Sequence, residues 1–284
     1  KGLTTLIKDN APEAIEISQL YKLKGQKVAI DASCLIYKAL MMIRSNGKLL
    51  TNGKYTTSHI VGIFNKTCAY LNYGITPLYV FDGKPPDEKS AVIKERNDKA
   101  WQAKQKISEG TVSKVEADKL EKQTIRMNKY HISDIKTLLD LMGVQWIDAD
   151  GEAEGVAAEL CRIGVVDYVI SEDMDTLAFG APRLIRNCVD KSIKRKEGII
   201  SVFHLDKMLE GFQLNYDQFL DLCVLSGCDY CDTLKRVGNI TSLRLMREHG
   251  NITTALQNVN SNKIPPGFRQ RFDKAITLFN MYKG

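Results

Sequence analysis

Acidic side chains recur where apolar, strand-like runs of this sequence end. Three such runs end in Asp31, Asp82 and Asp173, and Asp175 follows two residues after Asp173. An aspartate after a strand often forms a turn or caps the next helix, so each acid alone has an ordinary structural explanation. Because the carboxyl ends of parallel strands meet at one edge of a sheet, the set predicts a cluster of carboxylates.

Such a cluster requires a compensating cation, because like charges held close together raise the pKa of each acid and destabilise the fold. Oxygen ligands suit hard cations such as Mg²⁺ or Mn²⁺. Two such ions about 4 Å apart are a common device for hydrolysing phosphodiesters, in which one ion activates water and both stabilise the leaving oxygen. A Ser–His–Asp catalytic site is not a convincing alternative to a metal site. The four histidines lie in helical or loop patterns and are expected to be packing or surface residues.

Three further acids extend the set. Glu152 and Glu154 open the helix predicted after the third strand, and Asp229 follows a later helix. The helix dipole favours glutamates in a first turn, which is the structural explanation for this pair. Residues two apart share a face in a strand but not in a helix. We therefore expect Asp173 and Asp175 to point the same way on an extended chain, and one glutamate to act through a metal-bound water.

The elements that position these acids alternate between strands and helices. Helices are expected after Ser33, which is a plausible N-cap, at about 58–71, at 132–142 and from about 152. The strand-like runs are KVAIDAS (27–33), PLYVFDG (77–83), VQWIDAD (144–150) and DYVISED (167–173). The alternation predicts an α/β fold with a mostly parallel central sheet and helices on both sides. Glu172 is offset from Asp173 and is expected to be structural.

Residues 87–128 interrupt this alternation. Within 87–126 there are ten Lys or Arg and eight Asp or Glu, with few large apolar side chains. Gly110 predicts the end of one helix, and Thr111 or Ser113 can cap the next. A solvated helical pair explains this composition, whereas an insertion that projects between core strands is also typical of a functional lid.

Composition narrows the class of protein. The 284 residues carry a net charge of +6, and no apolar run reaches the ~18 residues expected of a membrane span. The first ten residues lack the pattern of a secretory signal, and seven scattered cysteines favour reduced thiols in an intracellular protein.

The Cys228–Cys231 pair lacks the partners of a zinc or redox site. The basic run 191–198 predicts a hairpin tip, either solvated or in contact with DNA.

Six motifs, in order and spacing, resemble the flap endonucleases of the Rad2/XPG superfamily of structure-specific 5′ nucleases. They are VAIDAS, TTSH, YVFDGKPP, GEAEGVAA, SEDMDTLAFG and LSGCDYCDTL, and the resemblance covers nearly the whole chain. It implies a DNA nuclease that cleaves 5′ flaps by two-metal phosphodiester hydrolysis in DNA replication and repair. It also implies two Mg²⁺ ions, for which Mn²⁺ can substitute, bound by Asp31, Asp82, Glu152, Glu154, Asp173, Asp175 and Asp229.

The resemblance also assigns roles to other positions. Residues 87–128 match a helical arch through which a single-stranded 5′ flap threads, with Lys89 and Arg96 at its base as catalytic contacts to the scissile phosphate. Seven residues separate this pair, so on one helix they share a face. The DNA-binding positions it implies are Tyr37 and Arg44 on the helix after Asp31, Thr57 near a pocket for a 3′ flap, and Lys235, Arg236 and Gly238.

The helix-turn-helix motif departs from the family pattern. Gly-x-Gly-Pro-Lys is replaced by Arg236-Val237-Gly238-Asn239-Ile240, and Lys235 with Arg236 can restore part of the lost charge. The family binds K⁺ at this turn. We expect one nuclease domain over 1–284, made of a nuclease region (1–86), the arch (87–128), an internal nuclease region (129–214) and a helix-two-turn-helix DNA-binding region (215–284).

Several alternatives stay open at this point. A 5′→3′ exonuclease of the same superfamily, a non-catalytic DNA-junction-binding protein and a PIN-type ribonuclease share parts of the pattern. The expected substrate is branched double-stranded DNA with a 5′ flap, bound by a monomer, in the nucleus or at sites of replication. The family begins Met-Gly-Ile, and a sliding clamp would bind a C-terminal tail that this sequence does not contain, so we expect further residues at both ends.

Overall fold

The computed structural model describes residues 2–45, 48–110, 112–187, 189 and 198–283. The strands there are β1 (Ile15–Gln19), β2 (Lys27–Asp31), β3 (Arg44–Ser45), β4 (Lys48–Leu49), β5 (Thr51–Asn52), β6 (Tyr55–Thr56), β7 (Thr76–Phe81), β8 (Trp146–Asp148), β9 (Tyr168–Ile170), β10 (Arg183–Asn187) and β11 (Ile199–His204). The helices are α1 (Leu3–Asn10), α2 (Ala32–Met42), α3 (Ser58–Asn72), α4 (Ser90–Ser108), α5 (Lys114–Thr124), α6 (Lys129–Met142), α7 (Ala153–Arg162), α8 (Asp175–Ala178), α9 (Leu205–Phe212), α10 (Tyr216–Leu225), α11 (Asn239–His249), α12 (Ile252–Gln257) and α13 (Phe268–Asn280).

The chain divides into two compact units. The first unit is Lys1–Ala29 with Glu154–Gly284, and the second unit is Ile30–Ala153. The predicted arch falls within the second unit and the predicted helix-two-turn-helix region within the first. None of the helices in the described ranges is long and apolar enough to cross a membrane.

In the first unit the strand order is β1-β11-β10-β9, followed by the start of β2. β11 is antiparallel to both β1 and β10, and β10 is parallel to β9. Phe203 lies opposite Ile15 on one side and Leu184 on the other. The predicted hairpin between β10 and β11 is therefore present, although residues 190–197 of its tip lie outside the described residues.

In the second unit β7 follows the end of β2 in the sheet and pairs in parallel with β8. Tyr79, Val80 and Phe81 are all fully buried. Side chains that are apolar on both faces of a strand are typical of a parallel sheet covered by helices, which confirms the predicted α/β fold. α2 packs against α3, where Gly62 lies so close to Ala39 that a side chain at 62 would collide with it.

The arch region forms the expected helical pair. α4 ends at Ser108, and Gly110 has a left-handed φ of +67°. The Oγ atom of Ser113 accepts the Glu116 N–H at 3.3 Å, so Ser113 caps α5 as predicted. α4 and α5 pack against each other along their length.

Three local predictions were wrong, and one strand was missed. Asp31, not Ser33, is the N-cap of α2, because its side chain lies where the Cys34 N–H can donate to it. α2 ends at Met42, so Arg44 lies on β3 and not on that helix. The chain does not stay extended from 173 to 175, because α8 begins at Asp175. β1 was not predicted, since its burial inverts the usual pattern, with Ile17 exposed and Ser18 buried.

A half-buried carboxyl links α10 to α12 in the first unit. Asp221 accepts the Ile252 N–H at 3.1 Å. Burial raises the pKa of Asp221 to about 6, with smaller increases from Asp217 and Asp273, while the Ile252 N–H and Arg269 act in the opposite direction. Since the folded protein holds this proton more tightly than the unfolded chain, stability falls as pH rises towards 6.

The Asp221→Asn change tests this linkage. Asn keeps an oxygen for Ile252 and removes the buried charge, so the free energy of unfolding at pH 7.5 should rise by about 1–2 kcal/mol. Near pH 4 the gain should vanish, because Asp221 is then protonated in the folded protein. Urea unfolding at both pH values measures the difference, and a gain of equal size at pH 4 would contradict the assignment.

Candidate active site and nucleic-acid interface

In the second unit, Asp31 lies at the end of β2 and is only 3% exposed. Its Oδ1 atom accepts the Cys34 N–H at 2.9 Å, which is an ordinary helix cap. A carboxylate has two oxygens with about four acceptor sites, so capping leaves capacity for a cation. Both the structural and the ligand role are therefore compatible with this position.

Asp82 and Glu152 lie beside each other in the same unit. The Ala153 N–H donates to Asp82 Oδ1 at 2.9 Å, and the Gly83 N–H donates to the Gly151 carbonyl at 2.8 Å. A side chain at 83 would collide with the backbone of residues 149 and 151, so glycine permits this approach. The loops after β7 and β8 therefore bring the two carboxylates to the same edge of the sheet. Glu152 precedes α7, whereas Glu154 lies in its first turn.

Lys89 supplies a counter-charge to this edge. Its Nζ atom donates to Glu152 Oε2 at 2.5 Å, and the two side chains are only 19% and 7% exposed. Burying a carboxylate costs several kcal/mol unless a partner compensates its charge. Lys89 is the N-cap residue of α4 with helical φ and ψ, so the base of the arch is joined directly to a predicted metal ligand.

In the first unit, Asp173 and Asp175 form a tight turn. Asp173 Oδ1 accepts the Asp175 N–H at 3.0 Å, and Ser171 Oγ accepts the Asp173 N–H at 3.0 Å. The Thr176 hydroxyl donates to the Asp173 carbonyl at 2.9 Å. These bonds hold both acids just after β9, at the start of α8.

Asp175 also lies near the loop that carries Asp229. Burial raises the pKa of the Cys228 thiol to about 12, and the negative charge of Asp175 adds to the shift. α8 packs against α10, after which this loop begins, and Cys228 and Cys231 form a short antiparallel bridge. Burial raises the pKa of Cys231 to about 11, so neither thiol is activated for redox or zinc chemistry.

Glu172 has a separate role. Its Oε1 atom accepts the Asn187 N–H at 3.2 Å, and its Oε2 atom lies 3.5 Å from Arg186 Nε. Glu172 thus ties the end of β9 to the end of β10. These contacts agree with the expectation that Glu172 is structural, and the difference in role from its acidic neighbours stays a prediction.

The seven-acid ligand set as a whole stays a prediction. Across the part of the chain that the structure describes, no three His, Cys, Asp or Glu side chains are grouped as a ready metal site. The donor chemistry nevertheless fits a hard cation, because each predicted ligand offers carboxylate oxygen. The buried Glu152 carboxylate already requires a positive partner, and Lys89 fills that requirement.

The predicted DNA-binding residues of the second unit differ in accessibility. Tyr37 on α2 is exposed and free to offer its ring face. Arg44 is only 12% exposed, with Nε donating to the Met41 carbonyl and Nη1 lying 3.5 Å from Glu121 on α5. Thr57 is the N-cap residue of α3, but its side chain makes no capping hydrogen bond. Arg96 lies on exposed α4, and its carbonyl accepts a hydrogen bond from Arg126.

The predicted basic turn of the first unit projects into solvent. Lys235 and Arg236 are exposed between the buried side chains of Leu234 and Val237. Arg236 has a left-handed φ of +58°, an uncommon conformation for a residue with a side chain. Gly238 follows as the N-cap of α11. The two cations are therefore presented together just before the first turn of that helix.

Two polar residues of α3 were not predicted to organise the site. Ser58 is fully buried, donates to the Ile43 carbonyl at 2.7 Å and accepts the Leu50 N–H at 2.8 Å. It thereby ties the start and the middle of the segment between α2 and α3 to the first residue of α3. His59 is also fully buried and lies 2.9 Å from Asp134 on α6. The TTSH motif is the sequence signal for both.

The second unit has acids at the edge of its sheet and a charged helical pair joined to that edge, and the first unit has further acids and a basic turn before a helix. Each of these features is typical of structure-specific nucleases. The comparisons agree with this class. Residues 1–103 match the XPG N-terminal domain, and residues 143–229 match the XPG I-region. The chain belongs to the flap endonucleases of the Rad2/XPG superfamily and is a nuclease.

Individual relatives are similar over most of their length. Flap endonuclease 1 of Glycine max is 43% identical over 98% of this chain and 74% of its own. Flap endonuclease 1-A of Sorghum bicolor is 44% identical over 93% and 70%. Flap endonuclease-1 from Methanococcus jannaschii has a TM-score of 0.70 at 27% identity, covering 96% of this chain and 83% of its own. The catalytic core of Rad2 in complex with DNA substrate has a TM-score of 0.69 at 25% identity, covering 96% and 78%.

Removing Lys89 should expose the cost of the buried acid. In EDTA, Lys89→Ala leaves Glu152 without its cation, so the free energy of unfolding should fall by about 2–3 kcal/mol. Urea unfolding measures this loss, and adding Mg²⁺ should recover part of it.

Lys99→Ala is the matched control. Lys99 also lies on α4 and pairs with Glu95, but both side chains are about two-thirds exposed. Its loss should change stability by no more than about 0.5 kcal/mol. Equal effects of the two changes would show that the Lys89 pair is no more stabilising than a surface pair.

Proposed function

We propose that this nuclease cleaves DNA at 5′ flaps using two Mg²⁺ ions, with Mn²⁺ as a possible substitute. The observation that carries the proposal is the Lys89–Glu152 pair, which joins the base of the arch to the acidic edge of the sheet. When bound, the ions would supply an activated water and stabilise charge on the phosphate. The residues proposed to hold them are Asp31, Asp82, Glu152, Glu154, Asp173, Asp175 and Asp229.

The protein's own contribution begins with Lys89. A single ammonium cannot compensate Glu152 fully and also neutralise a phosphate, so Lys89 is available to the substrate only when another positive charge compensates Glu152. Arg96 lies seven residues further along the same helical path and offers a second positive group on that face. Together they would position the scissile phosphate and stabilise its developing charge.

The remaining residues would bind the DNA on either side of the cut. The exposed ring of Tyr37 can stack on a base, and Thr57 with Arg44 lies on the α2–α3 side of the second unit. Lys235, Arg236 and the Gly238 N-cap would contact a duplex phosphate, since helix N-termini and adjacent cations favour anions. We propose that this turn still accommodates K⁺ despite its altered sequence.

The wider setting is also proposed. The catalytic core of Rad2, to which this chain is similar, is in complex with DNA substrate, and this supports our proposal that branched DNA is the substrate here. We propose a monomer that acts in the nucleus or at sites of replication, with any clamp contact made by residues beyond this sequence.

Cleavage of a labelled double-flap DNA with Mg²⁺ tests the proposal. Wild-type protein should release the 5′ flap as one fragment, and blocking the free 5′ end should suppress cleavage, because a threaded strand needs a free end. Asp175→Ala should lower the cleavage rate at least ~100-fold while retaining flap binding. Glu172→Gln, which alters the neighbouring structural acid, is the control and should cleave at a rate close to wild type.

Stepwise release of mononucleotides from the 5′ end would favour the exonuclease instead. Full activity of Asp175→Ala would contradict the metal-ligand set.

A further inference from the structure

The arch helix α4 carries a tryptophan that its own packing does not use. Trp101 is 63% exposed, although an indole normally lies mostly buried. The buried residues of α4 are Ala100 and Ala103, at 5% and 2% exposed, and α4 is in contact with α5. Successive helical residues lie about 100° apart, so Trp101 leaves the helix away from that contact. If this face of the helix contacted only water, a polar side chain would be expected at position 101.

Positive groups surround the indole on the same face of the helix. Lys94 and Lys104 lie seven residues before and three after it, which are same-face positions. Arg126 Nε donates to Asn97 Oδ1 at 3.3 Å, one turn from Trp101, while its other nitrogens donate to the carbonyls of Arg96, Gln123 and Ile125. This fixes a third positive group close to the same face and leaves one N–H of the guanidinium for a ligand. Asp98 is the acid on this face. The indole is therefore bordered by three cations and one acid.

This combination identifies the class of ligand. Single-stranded nucleic acid binds to sites that pair cations for its phosphates with aromatic faces for its unstacked bases. Duplex DNA offers no free base faces for stacking. A protein partner would need a contiguous apolar patch of several hundred Å² rather than one ring among charges.

We propose that Trp101 stacks against a base of the single-stranded 5′ flap while Lys94, Lys104 and Arg126 contact its phosphates. Trp101 is then a positioning residue that holds the flap on the arch, remote from the reacting atoms. The source of the single strand rests on the proposed function, but the stacking contact does not depend on cleavage.

Binding to flaps of different length tests the proposal. Base–aromatic stacking contributes ~1–3 kcal/mol, so Trp101→Ala should weaken binding of a 20-nucleotide flap about 5- to 150-fold in EDTA. Trp101→Phe should retain most of the affinity, and Trp101→Leu should behave as Ala because it lacks a π face. Binding of a nicked duplex without a flap should not change. Fluorescence anisotropy of labelled DNA gives each affinity.

Val115 provides the matched control. It is 69% exposed on α5, so Val115→Ala removes an equally exposed apolar side chain from the other arch helix. This variant should bind the long flap as wild type does. Circular dichroism should give the same helix content for all four variants.

Tryptophan fluorescence reports the contact directly. Oligo-dT should quench the emission of wild-type protein but not that of Trp101→Phe, which retains Trp146. The proposal is overturned if Trp101→Leu binds the long flap as wild type does, if the nicked duplex is weakened equally, or if quenching persists without Trp101. Failure of wild-type protein to cleave flaps would contradict the proposed function alone, because the oligonucleotide measurements stand apart from it.

Discussion

The structure depends on how buried negative charge is compensated at the edge of the sheet. Glu152 is nearly inaccessible to water, and a carboxylate in that position is stable only beside a cation. Lys89 meets this requirement from the base of the arch, where it is the N-cap residue of α4. The same requirement makes the edge a natural site for a divalent ion. Charge compensation therefore couples the folding of the arch to the chemistry of the acids.

The backbone is arranged to produce this coupling. Gly83 lets the loop after β7 approach the loop after β8, which places Asp82 beside Glu152. In the first unit, Asp173 and Asp175 are fixed by hydrogen bonds within their own turn. Asp82, Glu152 and Asp173 therefore each have a structural bond as well as a proposed ligand role. At Glu152 the two roles would alternate, because a bound cation would take over the charge compensation that Lys89 supplies.

Much of the fold follows from local sequence, and the rest depends on long-range contacts. β7 could be predicted because its sequence is a continuous apolar run, as expected of a strand buried on both faces. The Ser113 cap could be predicted because capping depends on residues that are close in sequence. β1 could not be predicted, because it is an edge strand whose Ile17 is exposed, and its sequence has no continuous apolar run. The Lys89–Glu152 pair joins residues 63 positions apart and left no local signal. The acids themselves were recognisable because they follow strands in sequence.

Anomalous scattering from crystals grown with Mn²⁺ tests whether the acidic edge of the sheet binds a divalent ion. We expect a Mn²⁺ peak within about 2.2 Å of a Glu152 carboxylate oxygen, with Lys89 Nζ displaced from hydrogen-bonding distance. Peaks only at sites away from the predicted acids, or a Lys89–Glu152 bond unchanged in the presence of bound Mn²⁺, would contradict it.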